Sequence, residues 1–178
     1  MAYMLAIDQG TTATTVIILD KALHVHACAN REFPQIYPRP GWVEHDPEAI
    51  YATVLAAVAD ALAQANLDGK QIAAIGLTNQ RETTVVWERA GGKPLHNAIV
   101  WQCRRTQQAC EALRAAGHEA LIQRKTGLVL DPYFSATKAA WILDHSLSRA
   151  RAERGELCFG TIDCFLLNRL TGGDVHVT

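Results

Sequence analysis

The chain has 178 residues, 49% of them hydrophobic and 20% charged, with a formal net charge of −1. That length suits one domain with a real core and is too short for two ordinary ones. The near-neutral charge gives no electrostatic reason to expect a nucleic-acid partner, and no apolar run of membrane-spanning length is evident, so neither nucleic-acid binding nor membrane insertion is expected.

The N-terminus enters a strand almost at once, with no basic region before it, which argues against a signal peptide. Tyr3 to Asp8, Ala13 to Leu19 and Leu23 to Arg31 read as three consecutive strands of an antiparallel meander, with reversals at Gly10-Thr11-Thr12 and at Asp20-Lys21. The first strand therefore runs into one carboxylate and a tight polar turn. Such a turn suits a magnesium-bound phosphate, because N–H groups and hydroxyls solvate anionic oxygens while the carboxylate holds the cation or its waters. An ordinary surface hairpin, in which Asp, Gly and Thr are common, stays open as the alternative.

A polar loop with Pro34, Pro38 and Pro40 follows. Asp46 then stands as the N-cap of a helix, with Pro47 at its first position and Glu48 favourably placed against the dipole. Ile50, Val54, Val58 and Leu62 mark its buried face, and its end is expected near Gly69. Ile72 to Leu77 reads as a buried strand parallel to the first. Thr83 to Glu88 and Leu95 to Trp101 flank Gly91-Gly92 as a hairpin. Gly91-Gly92-Lys93 runs into Pro94 and is no Walker-A sequence. Helical segments follow near 105–116, 118–125, 135–146 and 161–170. Asp174 to Thr178 looks like the start of a further strand, where the sequence stops without the turn or cap that closes a domain.

The five cysteines form no Cys-x-x-Cys pair, which argues against a zinc ribbon or a thioredoxin-like motif and is consistent with reduced thiols in a cytoplasmic protein. His24 and His26 could share one strand face, but no third metal ligand lies near them in sequence.

Three further polar clusters could carry chemistry. In Thr78-Asn79-Gln80-Arg81-Glu82-Thr83, Arg81 offers a fork of donors and Glu82 a pair of acceptors. A small polyol needs both, because each hydroxyl donates and accepts; a plain surface ion pair is the alternative. Trp101-Gln102-Cys103-Arg104-Arg105 and Asp131-Pro132-Tyr133-Phe134-Ser135 could wall a pocket with aromatic rings, the Tyr133 hydroxyl reaching a ligand oxygen. Core packing is the alternative for Trp101 and Phe134, and helix capping for Asp131 and Ser135.

Read together, these blocks resemble the N-terminal part of the FGGY carbohydrate kinases, and within them the glycerol-kinase branch. The resemblance runs through Ala6 to Thr12, Pro40 to Pro47, Ile75 to Thr84, Asn97 to Arg105, Thr126 to Leu128, Asp131 to Ser135 and Phe159 to Asp163. It implies an α/β, ribonuclease-H-like domain of the actin-like ATPase and sugar-kinase class, incomplete here: residues 1–178 would be a truncated N-terminal domain without the C-terminal nucleotide-binding domain. It also implies ATP and Mg2+ as cofactors, glycerol as substrate, and transfer of the γ-phosphoryl group to give sn-glycerol 3-phosphate. Asp8 would sit near the metal, with Thr11, Thr12, Ala13 and Thr15 at the nucleotide phosphates. Arg81, Glu82, Tyr133 and Trp101 would bind glycerol. Thr15 takes the place of a family arginine, and a hydroxyl supplies no charge there. No residue of the chain matches the catalytic base, expected beyond residue 178, so the chain alone is expected to be inactive. A non-catalytic fragment with weak polyol or phosphate binding, or a kinase of another sugar such as xylulose, remains the alternative. Such a fragment is also expected to expose apolar surface and to self-associate or pair with a complementary C-terminal chain.

Overall fold

A computed structural model of the chain describes residues 2–177. In chain order the elements are β1 (Tyr3–Gln9), β2 (Ala13–Leu19), β3 (Val25–Glu32), β4 (Glu44–His45), α1 (Pro47–Ala65), β5 (Ile72–Asn79), β6 (Thr84–Glu88), β7 (Ala98–Ile99), α2 (Gln107–Ala115), α3 (Glu119–Thr126), α4 (Ser135–His145), α5 (Arg149–Glu153), β8 (Leu157–Thr161) and α6 (Ile162–Leu170). Two units divide them: one holds the residues up to Gln35 together with Asp46–Gln80, the other Ile36–His45 together with the residues from Arg81 onward.

The first unit is a sheet in the order β3-β2-β1-β5, with α1 over β2 and β3. The meander is antiparallel and β5 runs parallel to β1, both as the sequence predicts. Strand alternation puts Leu5, Ile7, Val16, Ile18, Ala27 and Ala29 in the core. The same face carries Thr14, whose hydroxyl meets that of Thr53 on α1 at 2.9 Å. Asp8 lies on the opposite face, in register with Thr15 on one side and Thr78 on the other, and Thr15 in turn is in register with Asn30.

Helix α1 begins as predicted: the Asp46 carboxylate accepts from the Glu48 N–H at 2.9 Å, with Pro47 next. Its buried residues are Pro47, Ile50, Val54, Ala57 and Ala61, alternating three- and four-residue steps. Val58 and Leu62 are only partly buried, which corrects the predicted face. A strict four-residue step turns about 40° off the seam each time, so the stripe must step back to stay on the sheet. The helix closes earlier than predicted, on left-handed Asn66 (φ 52°), and Gly69 instead opens a short 3-10 turn capped by Asp68. With 19 residues and a mean hydropathy of 1.2, α1 is long and apolar enough by composition to cross a bilayer, a property the sequence reading overlooked. Here its fully buried stripe covers a sheet. Strand β5 also departs from expectation, for it is exposed over Ala73–Gly76, with Ile75 59% accessible. It is one edge of the sheet, and α1 lies over the opposite half, on β2 and β3.

The Asp20 turn closes the meander. Its carboxylate accepts from the Ala22 and His24 N–H groups and from the rings of His24 and His26, the latter at 3.0 Å. The bond to His26, then that to the His24 backbone, holds the Asp20 carboxyl well below the usual carboxylate range. The two histidines thus serve a turn, and among the described residues no cluster of metal-ligand type occurs. All five cysteines are free thiols.

The second unit is an antiparallel sheet in the order β4-β7-β6-β8 with, among the described residues, five helices. The predicted hairpin forms, turning through Gly91 and Gly92 at φ 85° and 69°. Its second strand is only Ala98–Ile99, shorter than predicted. Four helices fall where the sequence places them, whereas α5 and β8 were not anticipated. Residues 174–177 form no strand, and Thr178 lies outside the described residues. Val86, Ile99, Cys103, Ile142 and Leu157 form a core that Trp42 and Trp141 complete. At Gly160 a Cβ would lie 2.5 Å from the Cys164 Cβ, so only glycine lets β8 and α6 approach this closely.

Candidate functional site

In the first unit, the turn after β1 is pinned by two buried amides. Gln9, 0% exposed, donates from Nε2 to the Gly10 carbonyl at 2.8 Å. Gln80 donates from Nε2 to the Gln9 side-chain oxygen at 3.0 Å and to the Gly10 carbonyl at 3.1 Å, and from its backbone N–H to the Gln9 carbonyl at 2.7 Å. Sequence reasoning assigned neither glutamine this role. The signal was a buried amide ending an apolar strand, which needs a polar partner on the neighbouring strand. Within the turn the Gly10 N–H donates to the Ala13 carbonyl at 2.9 Å, and a Cβ at Gly10 would lie a tight 3.2 Å from that oxygen.

Thr11 is half-buried, and its carbonyl accepts from Gln35 Nε2 at 3.1 Å. Thr12 is exposed, and Ala13 pairs with Glu32 in the ladder. The Thr15 hydroxyl accepts from Asn30 Nδ2 at 2.8 Å, leaving its proton to donate. Asp8 is exposed and has no ion pair among the described residues. One unpaired carboxylate beside hydroxyls fits a magnesium ion that keeps most of its waters and takes further oxygens from phosphate.

In the second unit, the segment after Gln80 brings four predicted residues into one neighbourhood or onto its rim. Arg81 is exposed, with no ion pair among the described residues. Glu82 adopts φ 64°, a left-handed conformation uncommon for glutamate. Its Oε2 accepts the Ser135 N–H at 2.9 Å and the Ser135 hydroxyl at 2.6 Å. This carboxylate therefore caps α4 from another segment. Its Oε1 has no hydrogen bond among the described residues. Thr83, fully buried, accepts from the Trp101 N–H at 3.3 Å. The Trp101 and Tyr133 rings meet edge to face at 6.0 Å, and Tyr133 meets Phe134 at 5.1 Å. Phe134 is half-exposed, against the core alternative. Asp131 caps no helix: it accepts from the Tyr133 N–H at 2.8 Å and from Arg104 at 3.1 Å.

Sequence reasoning missed one residue of this unit and gave another a different task. Lys138 is fully buried and donates to the Glu82 carbonyl at 2.6 Å and the Tyr133 carbonyl at 2.5 Å. Burial pushes its amine down to about 8, against the opposing pull of the Glu82 charge. Arg105, read above as part of a pocket-walling block, is instead a scaffold residue. Its side chain is 0% exposed, lies over the Trp42 ring at 4.0 Å and the Trp141 ring at 4.6 Å, and pairs with Glu44 at 2.7 Å.

The FGGY family of carbohydrate kinases, N-terminal domain, matches residues 3–178. A glycerol kinase of Cereibacter sphaeroides (strain ATCC 17029) is 60% identical over 179 aligned residues, covering 100% of this chain and 36% of its own length. A Plasmodium falciparum glycerol kinase solved with ADP superposes with TM-score 0.89 at 33% identity, covering 97% of this chain and 35% of that one. A gluconate kinase from Lactobacillus acidophilus gives TM-score 0.81 at 26% identity, covering 94% and 33%. The chain thus spans about a third of the length of the relatives it matches. The mixed α/β architecture is that of the sugar-kinase, actin-like ATPase class, and the chain belongs to the FGGY family of carbohydrate kinases, as an N-terminal domain of that family.

Proposed function

We propose that this chain supplies the phosphate-side and polyol-side residues of an ATP-dependent glycerol kinase, which transfers the γ-phosphoryl group of ATP to glycerol and yields sn-glycerol 3-phosphate and ADP. The observation that carries the reading is the Arg81 fork, without an ion pair among the described residues, beside a Glu82 carboxylate of which one oxygen is anchored and the other has no hydrogen bond among them. The 60% identity to a glycerol kinase supports glycerol over the substrates of less similar relatives, such as the 26% identical gluconate kinase.

Phosphoryl transfer asks the protein mainly for positioning and charge stabilisation. Arg81 donates to glycerol oxygens, Glu82 Oε1 accepts a hydrogen bond from a glycerol hydroxyl, and Tyr133 with Trp101 walls the carbon skeleton. Asp8 would hold the magnesium or its waters, while Thr11, Thr12, Ala13 and Thr15 would line the phosphates. The metal, when bound, neutralises charge on the phosphate oxygens. Glu82 is engaged with α4 and substrate and Asp8 with the metal, so the general base is assigned to neither, and we place it outside these residues.

Calorimetric titration with glycerol tests the reading. Arg81→Ala removes charge-assisted hydrogen bonds and is expected to weaken binding by about tenfold or more. No glycerol heat from the parent chain, or equal affinity in the variant, refutes it.

A further inference from the structure

Lys138 lies one turn into α4, yet its ammonium serves neither α4 nor solvent. Both of its carbonyl acceptors, on Glu82 at 2.6 Å and on Tyr133 at 2.5 Å, belong to the segments that carry the polyol-side residues. We propose that Lys138 is a positioning residue for the polyol site: its ammonium clasps these two segments together and presets the Glu82 carboxylate and the Tyr133 ring. The role rests on the polyol reading of Glu82 and Tyr133.

Three observations carry it. First, Glu82 is held in a left-handed conformation that an L-residue leaves unless its surroundings fix it. Its carbonyl is fixed twice, by Lys138 and by the Thr84 hydroxyl at 3.2 Å. Second, α4 grips the same residue at a second point, because Ser135, three positions before Lys138, binds Oε2. Positions three apart share a helix face, so one face of α4 holds both the backbone and the side chain of Glu82. That arrangement leaves Oε1 free at a defined place. Third, the contact to the Tyr133 carbonyl anchors the residue whose ring meets Trp101. Stability alone does not explain a lysine here, since burying an ammonium is costly and an apolar side chain of similar size would fill the volume.

The test is Lys138→Met in the 178-residue chain, read by amide hydrogen exchange at Ser135 and by glycerol calorimetry. Ser135 exchange is expected to quicken about tenfold, because its carboxylate acceptor is no longer held, while β1 and β2 keep parental protection. Glycerol affinity is expected to fall about tenfold through misplacement. Lys138→Gln, which keeps an N–H donor, should restore part of both. Unchanged Ser135 exchange in a folded variant overturns the clasp. Faster exchange with parental glycerol affinity overturns the positioning role. No glycerol heat from the parent overturns the polyol reading, and this role with it, whatever the exchange shows. If the Met variant does not fold, the Gln variant decides by the same two readouts.

Discussion

Glu44→Gln should unsettle the second unit more than any exposed charge change. Glu44 is 5% exposed and accepts from Arg105 at 2.7 Å and Asn97 at 2.8 Å. Gln keeps the shape and removes the charge, so the fully buried Arg105 guanidinium loses its counter-ion. Breaking one side of a buried pair typically costs about 3–5 kcal/mol. The two indoles still hold the cation, each for about 0.5–2 kcal/mol, so the loss should sit near the low end, about 3 kcal/mol. For a chain of this length that lowers Tm by about 6–12 °C. Thermal melting by circular dichroism reads it directly. The double variant Glu44→Met/Arg105→Met leaves no charge stranded and should recover most of the loss. A single variant within about 2 °C of the parent, or a double variant falling as far as the single, refutes the reasoning.

The same pair fixes a pH dependence. Burial raises the Glu44 carboxyl, but hydrogen bonds from Asn97 and Arg105 and the nearby positive charge outweigh it, leaving the group below its ordinary 4.5. A carboxyl depressed in the folded state stabilises fully above its unfolded pKa, and that stability is lost as pH falls through the lower folded value. The Gln variant should therefore show a shallower acid limb.

Two further outcomes are expected. Gly160→Ala should destabilise by about 1–3 kcal/mol in denaturant titration, because its Cβ would lie 2.5 Å from that of Cys164; an unchanged midpoint denies the close approach of β8 to α6. Ile75→Lys should reduce self-association in light scattering with little effect on melting, since Ile75 is 59% exposed on an edge strand without charges; a parent that stays monomeric at high concentration contradicts this.

Local chemistry was legible in the sequence where it was self-sufficient. Asp46-Pro47 starts α1 with its own side chain, and the polar turns end β1 and β2 where they stand. What depended on a distant partner was not legible. Strand β5 reads as buried because its residues are apolar, but burial is set by where α1 lies. Strand β8 holds a glycine whose missing Cβ leaves room for Cys164 and for the distant Trp87 of β6. At the site, Arg81 and Glu82 stood out as charges next to a strand, whereas Gln9, Gln80 and Lys138 act through partners 71, 71 and 56 positions away.

The block Trp101 to Arg105 shows how one motif can divide between two tasks. Trp101 meets Tyr133, but four residues later Arg105 faces away from ligand chemistry, between two indoles and against Glu44. The block Pro40 to Pro47 supplies the rest of that arrangement. Trp42 stacks on Arg105, Glu44 neutralises it, and the Gly41 carbonyl accepts the Arg104 N–H at 2.8 Å. Planar rings and a carboxylate suit the flat, weakly hydrated fork of a buried arginine, and here one block supplies the arginine and the other Trp42 and Glu44. The rigid bed they form holds the strand end that carries Trp101. The Glu44→Gln variant consequently bears on more than stability. If it folds, a loss of glycerol affinity would travel through Trp101 or through Trp141 of α4, since Glu44 pairs with Arg105 and Asn97 and Arg105 lies against Trp141.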